Sequence, residues 1–565
     1  MKKNIVIILG VLFVAIALRI FQLGYVPVSM TDDETRLVYN AYSIWTTGKD
    51  VNGFSYPLAF LVNGYAFNPI AIYLTSPSVG LLGLNMFSAR LPFALAGIGD
   101  IILIYLISRQ LLKDKTIAIL SSLVLTFSVW HLQISRFAYE GGFALFFYLL
   151  GIFIFLQAKK KSFLVTAFAM LSFLLAFYSY SGTKLIFIPV ILVFIWYRRK
   201  SLSLKQIVLI VIFVVLTFSS FFYLSKFQNA SSYGGKQFFF QDKSAVELSV
   251  ELERRASYAP EFFKRLYHNK LTYWSKIFVS HYSYALSPQY LFTSQEGNGI
   301  FSMWFRGQMY YIEAPLILVG ILYLFLKKRR ELVLILLLLA IAPLPSALGA
   351  EPITYTIRSI FMLPLLALLA GAGIYSISYF MNIKKIRIAI YVLLLCAYIY
   401  SIAGYLSQYY FDWKIYGSGY YSKAAQDLSF LIQKQKVEKK LIVVSPADSM
   451  MFLHYAFYNN LSPGFVQGVY KKNPKQIDNV ILNDKCLDFK NNSPTAKLPD
   501  NSIYIISAYC SEIKDKNGYI WKTSMELVRK TATIIDNHHK YQQISKNAYN
   551  RAQNYYVEIF CSKVN

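Results

Sequence analysis

The hydrophobic segments of this chain carry basic and acidic residues at opposite ends, and this sorting constrains the fold most. The acids Asp32, Asp33, Glu34 and Glu140 fall in alternate gaps between the segments. Basic runs occupy the other, short gaps, at 2–3, 109–115, 159–161, 198–205, 327–330 and 384–387. Because short basic loops stay on the cytoplasmic side of a bilayer, the four acids are predicted to lie at the outer membrane surface.

The composition also indicates a membrane protein. Of the 565 residues, 56% are hydrophobic, and the mean hydropathy is +0.42. A soluble protein this apolar could not cover its surface with polar groups, and segments of about 17–22 apolar residues have the length that a bilayer demands of a helix. About eleven spans are predicted, at 5–23, 91–108, 117–134, 142–157, 163–180, 185–197, 207–224, 309–326, 332–348, 360–380 and 388–407.

A further apolar stretch, 66–84, is predicted to be an interfacial or re-entrant helix that does not cross the bilayer. Pro69 and Pro77 interrupt it. If it crossed, every later basic run would lie on the side opposite the N-terminal lysines, whereas all six runs share one side if it does not. Residues 25–90 are therefore predicted to form one long outer loop.

The chain is predicted to be an α-helical polytopic membrane protein with two domains. Residues 1–408 form the transmembrane domain, with large outer loops over 25–90 and 225–308, and residues 409–565 form a small extracytoplasmic α/β domain. Outside the spans, the predicted elements are an amphipathic helical stretch over 247–276, strands over 440–446 and 502–507, and helices over 422–435 and 524–549. No GxGxxG or phosphate-cradling loop occurs, so the sequence indicates no nucleotide site.

The net charge and the cysteines argue against two other classes of protein. Much of the net charge of +28 lies between the spans, where it orients the protein and attracts anionic lipid, so no nucleic-acid partner is expected. Cys396 lies in an apolar span, and a disulfide such as Cys486–Cys510 is one option among Cys486, Cys510 and Cys561 in the C-terminal region. No pair of cysteines has metal-ligand spacing.

Three consecutive acids, Asp32, Asp33 and Glu34, follow Thr31 shortly after the first span. Carboxylates near a bilayer are costly and mark functional sites. A buried Asp beside an acceptor hydroxyl can act as a general base, and carboxylates can help to hold a divalent cation. The alternative is an ordinary helix start, in which Thr31 or Asp32 caps the helix and the next acids stabilise the positive end of its dipole. Both can hold at once.

The other outer acid, Glu140, follows Trp130-His131 and Arg136 at the outer end of the third predicted span. As a second carboxylate it would face the first acids. Alternatively, Arg136 and Glu140 are four residues apart and form a helical ion pair. His131 is either structural or a site residue.

Four cations are predicted at the outer membrane level, namely Arg90, Lys184, Arg306 and Arg358. Each could extend to the interface and do nothing more, but together they suit a lipid phosphate, because guanidinium binds phosphate oxygens bidentately. Arg90 and Arg358 are favoured, since each opens an apolar span from the outside. The aromatic residues of these regions belong to the interfacial belt or line a sugar site: Tyr178, Tyr180, Tyr282, Tyr284, Tyr310 and Tyr311.

These landmarks, in this order, resemble the lipid-dependent glycosyltransferases of the GT-C fold. The similarity is to bacterial relatives of the protein O-mannosyltransferases and to the aminoarabinose transferases that modify lipid A. It covers about residues 1–410. The segments that carry it are 33–36 (DETR), 87–92 (FSARLP), 130–140 (a W-H-x-x-x-S-R segment followed by an acid), 178–189, 281–292, 307–315, and 342–348 followed by Arg358.

The resemblance implies roles for the candidate residues. Asp33 would be the general base, Glu34 and Glu140 would orient or tune it, and Arg90 and Arg358 would neutralise a polyprenyl-phosphate leaving group. No cofactor is certain; a divalent metal is an option, and Asp33 and Glu140 would hold it. Further phosphate-binding and cavity residues are Lys184, Arg306, Arg36, His131, Arg136, Tyr178, Tyr180 and His281.

The prediction is therefore a multi-pass glycosyltransferase of a bacterial cell membrane with its active site on the extracytoplasmic side. It would move a hexosyl or pentosyl group from a polyprenyl-phosphate donor to a hydroxyl of a protein, lipid or envelope glycan, with inversion. The competing hypotheses are a lipid-linked sugar transporter or flippase, an inactive scaffold, and a glycan polymerase or ligase. Polar residues crowded at one membrane face favour the enzyme over a transporter, whose broken helices and polar groups lie near the midplane.

Overall fold

The computed structural model describes residues 2–484 except 63–64, 160–161, 228–237, 295, 297–298, 351–353, 437–440, 446 and 448. Beyond 484 it describes 502–507, 513–514, 520–521, 532–536 and 539–544. The described chain is mostly helical. Its α-helices are α1 (Lys2–Ile20), α2 (Asp32–Thr47), α3 (Pro69–Leu81), α4 (Met86–Leu112), α5 (Lys115–Phe127), α6 (Val129–Ser135), α7 (Glu140–Leu156), α8 (Phe163–Ser179), α9 (Ser181–Arg198), α10 (Leu204–Phe227), α11 (Lys243–Arg255), α12 (Glu261–Tyr267), α13 (Lys270–Leu286), α14 (Glu313–Lys327), α15 (Arg329–Ile341), α16 (Leu344–Ala347), α17 (Tyr355–Arg358), α18 (Leu363–Phe380), α19 (Lys384–Ser407), α20 (Trp413–Tyr416), α21 (Lys423–Lys436), α22 (Ser449–Tyr458) and α23 (Pro463–Val469).

Shorter elements complete the described secondary structure. Short π-helices occur at Gln289–Thr293 and Gln408–Asp412, and short 3₁₀-helices occur at Ile360–Met362 and Gly417–Gly419. The strands are β1 (Phe60–Val62), β2 (Tyr65–Phe67), β3 (Leu441–Ser445), β4 (Lys475–Ile477), β5 (Val480–Leu482), β6 (Ser502–Ser507), β7 (Ile513–Lys514), β8 (Ile520–Trp521), β9 (Ala532–Asp536) and β10 (His539–Ile544).

Each predicted span coincides with one helix or with two consecutive helices. A bent pair, α5 with α6, forms either one broken span or a re-entrant loop, and three shorter helices are also apolar. The chain therefore has the helices of a multi-pass membrane protein, while the number of crossings stays a prediction. The six described helices that are long and apolar enough to cross a bilayer are Met86–Leu112, Ser181–Arg198, Leu204–Lys226, Arg329–Ala347, Ile360–Phe380 and Lys384–Gly419.

The third predicted span is broken at Ser128, where α5 and α6 meet at 63°. The Ser128 hydroxyl accepts a hydrogen bond from the backbone N–H of His131 at 3.3 Å and so caps α6. Helix α6 ends at Ser135, and α7 begins only at Glu140. Arg136 and Glu140 therefore do not share a helix, which makes the alternative of a helical ion pair wrong.

Helix α18 forms the core of the helical bundle, since 89% of the most apolar window of Ile360–Phe380 is buried. Two glycines allow a close approach between α18 and α14. A Cβ atom on Gly373 would lie 1.9 Å from the backbone oxygen of Leu316, and one on Gly320 would lie 2.1 Å from that of Leu369. Because no side chain fits at either position, the two helices pack backbone to backbone.

The stretch predicted to be interfacial forms α3, a helix of 13 residues with Pro77 inside it. A helix of this length rises about 20 Å, which is less than the hydrocarbon thickness of roughly 30 Å. The length of α3 therefore agrees with the prediction that this stretch does not cross the bilayer.

The chain divides into two compact units by its internal contacts. Most of the first outer loop, including α2, belongs to the same unit as the C-terminal region. The predicted division into domains stays a prediction. Unit 1 comprises Met1–Leu23, Leu58–Ala71 and Arg90–Ser407, and unit 2 comprises Gly24–Pro57, Ile72–Ala89 and Gln408–Asn565.

Within unit 2, a six-stranded sheet has the order β10-β9-β6-β3-β5-β4. Strand β3 pairs in parallel with β5 and β6, and the other pairs are antiparallel. Helix α2 packs against the C-terminal helices of this unit. The Tyr39 hydroxyl donates to the Leu461 carbonyl at 2.8 Å, and the Gln467 amide donates to the hydroxyls of Ser43 and Thr47 at 3.0 and 2.9 Å.

Several predictions outside the spans are tested by these elements. The strands predicted over 440–446 and 502–507 are confirmed as β3 and β6, and the helix over 422–435 is confirmed as α21. The helix predicted over 524–549 is wrong, because β9 and β10 lie there. Thr533, Ile534 and Ile535 are β-branched and favour a strand, and pairing of β9 with β6 reinforces that preference.

The predicted helical stretch 247–276 is divided among α11, α12 and α13. Pro260 precedes α12 and cannot continue α11, because proline lacks the N–H that a helix interior needs. The amphipathic prediction holds for α11, which buries Val246 and Val250. Of the cysteines, Cys396 is free and exposed on α19, and the disulfide predicted among Cys486, Cys510 and Cys561 lies outside the described residues.

Candidate acid/base turn and phosphate-binding cluster

The three consecutive acids form the first turn of α2, named here the acidic turn (Asp32, Asp33 and Glu34). The Thr31 hydroxyl accepts a hydrogen bond from the Glu34 N–H at 3.1 Å, and the Glu34 carboxylate accepts one from the Thr31 N–H at 3.0 Å. This capping box satisfies two backbone donors at the helix start, which confirms Thr31 as the cap. Glu34 is fully buried, so its carboxylate is held inside the protein.

Asp33 differs from Asp32, whose side chain is also accessible at 50% exposure, in its partner and in the direction of its pKa shift. Its side chain is 43% exposed, and its Oδ1 lies 2.8 Å from Nη1 of Arg36, which was predicted as a cavity residue. Burial raises the pKa of Asp33; the charge and hydrogen bond of Arg36 oppose the rise, and Asp32 and Glu34 add to it. A carboxylate with a raised pKa is a stronger base than an ordinary aspartate, so the arrangement suits proton abstraction.

Asp32 is bound to two side chains of the C-terminal region. Its Oδ1 lies 2.9 Å from Nε2 of His454 and accepts a hydrogen bond from the Ser422 hydroxyl at 2.8 Å. Burial alone would raise the pKa of Asp32, but the hydrogen bond and charge of His454, the hydrogen bond of Ser422 and the charge of Arg36 lower it to about 2. Asp32 is therefore a weak base, which leaves Asp33 as the better candidate of the two.

Glu140, at the start of α7, is clamped by a residue that the sequence did not single out. The backbone N–H and the side-chain amide of Asn68 donate to Oε1 and Oε2 of Glu140, the latter at 3.1 Å. Lys184 donates to Oδ1 of the same amide at 3.1 Å. Because a carboxylate only accepts and an ammonium only donates, the Asn68 amide has a single orientation. We call Asn68, Glu140 and Lys184 the carboxylate–ammonium cluster.

Tyr180 connects this cluster electrostatically with a second group of charges. It interacts with Glu140, Glu296 and Arg358, and its ring packs edge-on against Tyr139 with the centroids 6.1 Å apart. The predicted residues Glu140, Tyr180, Lys184 and Arg358 of unit 1 are therefore brought together.

Glu296 is a buried carboxylate that the sequence interpretation missed. Its Oε2 accepts a hydrogen bond from the Thr356 N–H at 2.6 Å. Burial raises the pKa of Glu296 to about 7, although the hydrogen bonds from Thr356 and the charge of Arg358 oppose the shift. Glu296 thus places a titratable charge beside the cation that was favoured for phosphate binding.

The other two predicted phosphate cations make different contacts. Arg90 is fully buried and donates to the Leu23 carbonyl at 3.4 Å. The Arg306 guanidinium lies 5.9 Å from the centre of the Tyr405 ring, within the range of a cation–π interaction. The contacts described here do not join either residue to the carboxylate–ammonium cluster, so their roles at a phosphate stay predictions.

His131 and Arg136 join a buried polar network on helices of the bundle. Nδ1 of His131 accepts a hydrogen bond from Arg19 at 2.7 Å, and its Nε2 donates to Asp100 at 3.2 Å. Arg136 donates to the carbonyls of Leu18 and Arg19 at 2.8 and 3.1 Å. These contacts link α1 to the bent pair α5–α6, a structural role that fits beside the predicted cavity role.

The remaining predicted cavity residues lie among aromatic side chains. The Tyr178 hydroxyl is 2.6 Å from the Ser220 hydroxyl on α10. His281, on α13, packs edge-on against the rings of Phe239 and Tyr355. Whether these two residues contact a sugar stays a prediction.

The described residues contain no group of three or more His, Cys, Asp and Glu side chains placed to hold a metal ion. Both oxygens of Glu140 already accept hydrogen bonds from Asn68, and Oδ1 of Asp33 accepts one from Arg36. A metal at either carboxylate would have to compete with these donors. Ligation of a metal ion by Asp33 and Glu140 therefore stays a prediction.

Comparison with known proteins finds a family that matches part of the chain. Residues 66–223 match the family model described as dolichyl-phosphate-mannose-protein mannosyltransferase. The matched stretch contains Asn68, Arg90, Glu140 and Lys184. The resemblance predicted from the motifs is confirmed for this stretch, and the chain is similar there to membrane glycosyltransferases that use lipid-linked sugars. No curated protein matches the chain.

Solved structures of two enzymes are similar to this chain at low identity. The oligosaccharyltransferase of Archaeoglobus fulgidus in its apo form has 13% identity and a TM-score of 0.48, over 80% of this chain and 64% of that chain. This chain thus spans less than two thirds of the length of the archaeal enzyme. ArnT of Cupriavidus metallidurans in its apo state has 13% identity and a TM-score of 0.45, over 90% of this chain and 92% of that chain. A second structure of ArnT, bound to undecaprenyl phosphate, matches with 12% identity and a TM-score of 0.39.

Proposed function

We propose that this protein is a polyprenyl-phosphate-dependent glycosyltransferase with Asp33 as its general base. It transfers one sugar to a hydroxyl of a protein, lipid or envelope glycan at the outer face of a bacterial cell membrane. The observation that carries the proposal is the division of roles in the acidic turn. Asp32 is tied to His454 and has a lowered pKa, and Glu34 is buried in the helix cap, whereas Asp33 is 43% exposed and has a raised pKa.

The reaction needs one displacement. The Asp33 carboxylate takes the proton of the acceptor hydroxyl while the hydroxyl oxygen attacks the anomeric carbon of the donor sugar. The bond from that carbon to the phosphate oxygen breaks, and the lipid phosphate leaves with the electron pair. Because attack and departure take place on opposite faces, the configuration at the anomeric carbon is inverted. The acceptor proton stays on Asp33 until solvent removes it.

The donor phosphate is negatively charged before transfer and gains charge as it leaves, so cations there would bind the donor and would also lower the barrier. Lys184 and Arg358 are the best candidates, because the contacts of unit 1 bring both near Glu140 and Tyr180. Glu140 acts on the ammonium through Asn68 and so orients it, instead of acting as a second base. Arg90 and Arg306 are proposed as further phosphate contacts.

The family match supports the donor class, since the model describes transferases of a sugar from dolichyl phosphate and covers Glu140 and Lys184. ArnT has been solved with bound undecaprenyl phosphate. We propose a polyprenyl phosphate carrier here also, with the sugar open to experiment. The outer location follows from the basic gaps between the spans, and residues 409–565 are proposed to be extracytoplasmic.

The first experiment compares envelope glycans and glycoproteins by mass spectrometry with and without this protein, which identifies the transferred sugar. The purified protein is then assayed in liposomes with that sugar on undecaprenyl phosphate. Asp33→Asn should lower the transfer rate by about 10²–10⁴-fold, the usual loss on removal of a general base. Glu251→Gln, which breaks an exposed ion pair on α11, is the matched control and should transfer normally.

The alternatives give different results. A flippase or an inactive scaffold would transfer no sugar in the liposome assay. Lipid translocation by a flippase, or lipid binding by a scaffold, would survive Asp33→Asn. A glycan ligase or polymerase would give products larger by a whole glycan instead of by one sugar. Wild-type transfer by a folded Asp33→Asn protein would remove the base assignment.

A further inference from the structure

His454 lies on α22, more than four hundred residues after the acidic turn, and yet contacts it directly. Its side chain is 2% exposed. Nε2 lies 2.9 Å from Oδ1 of Asp32, and Nδ1 lies 3.2 Å from the Thr35 hydroxyl. The ring therefore spans the first turn of α2 from its first residue to its fourth, on either side of Asp33.

The hydrogen-bond partners define how the ring is bonded. The Asp32 carboxylate accepts a hydrogen bond from Nε2 of His454, because a carboxylate only accepts. Nδ1 is bonded to the Thr35 hydroxyl, which also donates to the Thr31 carbonyl at 2.9 Å. Both ring nitrogens therefore have a partner in the first turn of α2. The contact with Asp32 is a charge-assisted hydrogen bond, stronger than a neutral one.

Two more side chains of the C-terminal region hold the same turn. The Ser422 hydroxyl donates to Asp32 at 2.8 Å. The Tyr458 hydroxyl lies 2.7 Å from the Ser29 hydroxyl and accepts a hydrogen bond from the Met30 N–H at 3.0 Å. Residues 29–35 are thus anchored on both sides of Asp33.

A general base must be placed accurately to act. A displacement of about 1 Å can cost roughly a hundredfold in rate, and a helix end frays unless side chains satisfy its free donors. The local capping box holds the backbone of the turn, but it does not hold the turn against the rest of the protein. The contacts from Ser422, which directly precedes α21, and from His454 and Tyr458 on α22 supply that second restraint.

We propose that His454 is a positioning residue, whose hydrogen bond with Asp32 holds the acidic turn so that Asp33 is placed for the acceptor hydroxyl. The inference rests on the proposed function and deepens it, because it makes the C-terminal region part of the catalytic apparatus. His454 touches neither the substrate nor the reacting atoms in this scheme and acts mainly through Asp32, with Thr35 as its second contact on the turn.

The test is a double-mutant cycle on the full-length protein in liposomes, with undecaprenyl phosphate carrying the sugar found above. His454→Gln and Asp32→Asn should each lower kcat about tenfold and leave the KM of the lipid donor within twofold. If His454 acts through Asp32, the double variant should lose about as much as either single variant, since coupled residues are not additive. Losses that multiply to about a hundredfold would overturn the proposal.

Gln467→Ala is the matched control, because Gln467 anchors the opposite end of α2 through Ser43 and Thr47. It should lower thermal stability without lowering kcat by more than twofold. If it lowers kcat as much as His454→Gln does, any anchor of α2 matters and the specific role of His454 is overturned. Should His454→Gln fail to fold, Ser422→Ala removes one hydrogen bond from Asp32 and should lower kcat about threefold; an unchanged kcat would overturn the proposal.

The two proposals fail in different ways. An inactive Asp33→Asn protein together with wild-type kcat in His454→Gln would overturn the positioning role alone. A fully active Asp33→Asn protein, or a wild-type protein with no transfer at all, would overturn the proposed function and with it this inference.

Discussion

The acidic turn and the carboxylate–ammonium cluster each place carboxylates beside cations, but they are built differently. In the acidic turn, three consecutive residues receive separate partners, and Asp33 remains 43% exposed. In the cluster, Glu140 is buried, and Asn68 stands between it and Lys184. An accessible carboxylate with a raised pKa suits a step that moves a proton, and a buried clamped carboxylate suits holding another charge in place.

Because of this difference, we expect substitutions in the two regions to change different kinetic constants. A group that acts only as the reaction proceeds changes kcat, whereas a group that holds a bound ligand equally in the ground and transition states changes KM. We therefore expect Asp33 to act on kcat and Glu140 to act mainly on the KM of the lipid donor. After the loss of a hundredfold or more expected for Asp33→Asn, the variants below are ordered by the size of their effects.

The largest of the remaining effects is expected for Glu140→Gln. The glutamine would turn an N–H toward the donors of Asn68, which releases the amide and with it Lys184. The donor KM should rise about tenfold, equivalent to about 1.4 kcal/mol, with kcat within threefold of wild type. Initial rates over a range of donor concentrations measure both constants.

Asn68→Ala provides the matched variant for this prediction. It should raise the donor KM by a similar factor, and combining it with Glu140→Gln should add little, because both remove the same support from Lys184. A Glu140→Gln protein with normal KM and a hundredfold lower kcat would reverse the comparison and make Glu140 a second catalytic group.

The pH dependence of kcat/KM tests whether Asp33 of the acidic turn is the group that must be ionised for activity. Asp33 must be ionised to accept a proton, so activity is lost as the pH falls through its pKa, which burial raises. The loss should begin at a higher pH than for an ordinary aspartate. Asp32→Asn removes a negative neighbour and should move the loss to lower pH, and Arg36→Gln removes the opposing cation and should move it to higher pH.

These opposite shifts are measured as pH profiles of initial rate in liposomes, with protein integrity checked at each pH. Asp32→Asn should also lower the maximal rate, because it weakens the contact with His454 that positions Asp33. The maximal rate and the pH at which activity is lost are separate measurements. Shifts of the same sign in both variants would show that the acid side of the profile reports some group other than Asp33.

The sequence predicted much of the local structure in these regions. Apolar segment length located the helices of all the predicted spans, and the pattern Thr31 to Glu34 predicted the capped helix start, because both depend on neighbouring residues. The helix over 524–549 failed because the pairing of β9 with β6 involves residues about 30 apart in sequence.

The partners of the candidate residues were not predictable for the same reason. Asn68 meets Glu140 across 72 residues, Thr356 meets Glu296 across 60, and His454 meets Asp32 across 422. An isolated histidine or asparagine in a long chain carries no local pattern that distinguishes it from a surface residue. Only the folded structure brings Asn68 and His454 to the acids that the sequence had already singled out, and Glu296 itself is recognised only there.

The smallest effect is expected for Thr31→Ala, which tests whether the helix cap helps to position Asp33. Loss of the cap should cost about 1 kcal/mol of stability, measured as the thermal unfolding of the detergent-solubilised protein. Asn269→Ala removes the equivalent capping box from α13 and should cost a similar amount. Because Thr31 also orients the acidic turn, only Thr31→Ala should lower kcat, by about threefold. Equal kcat in the two variants would mean that the contacts of His454 and Ser422 hold the turn without its cap, and that the long-range restraint dominates the local one.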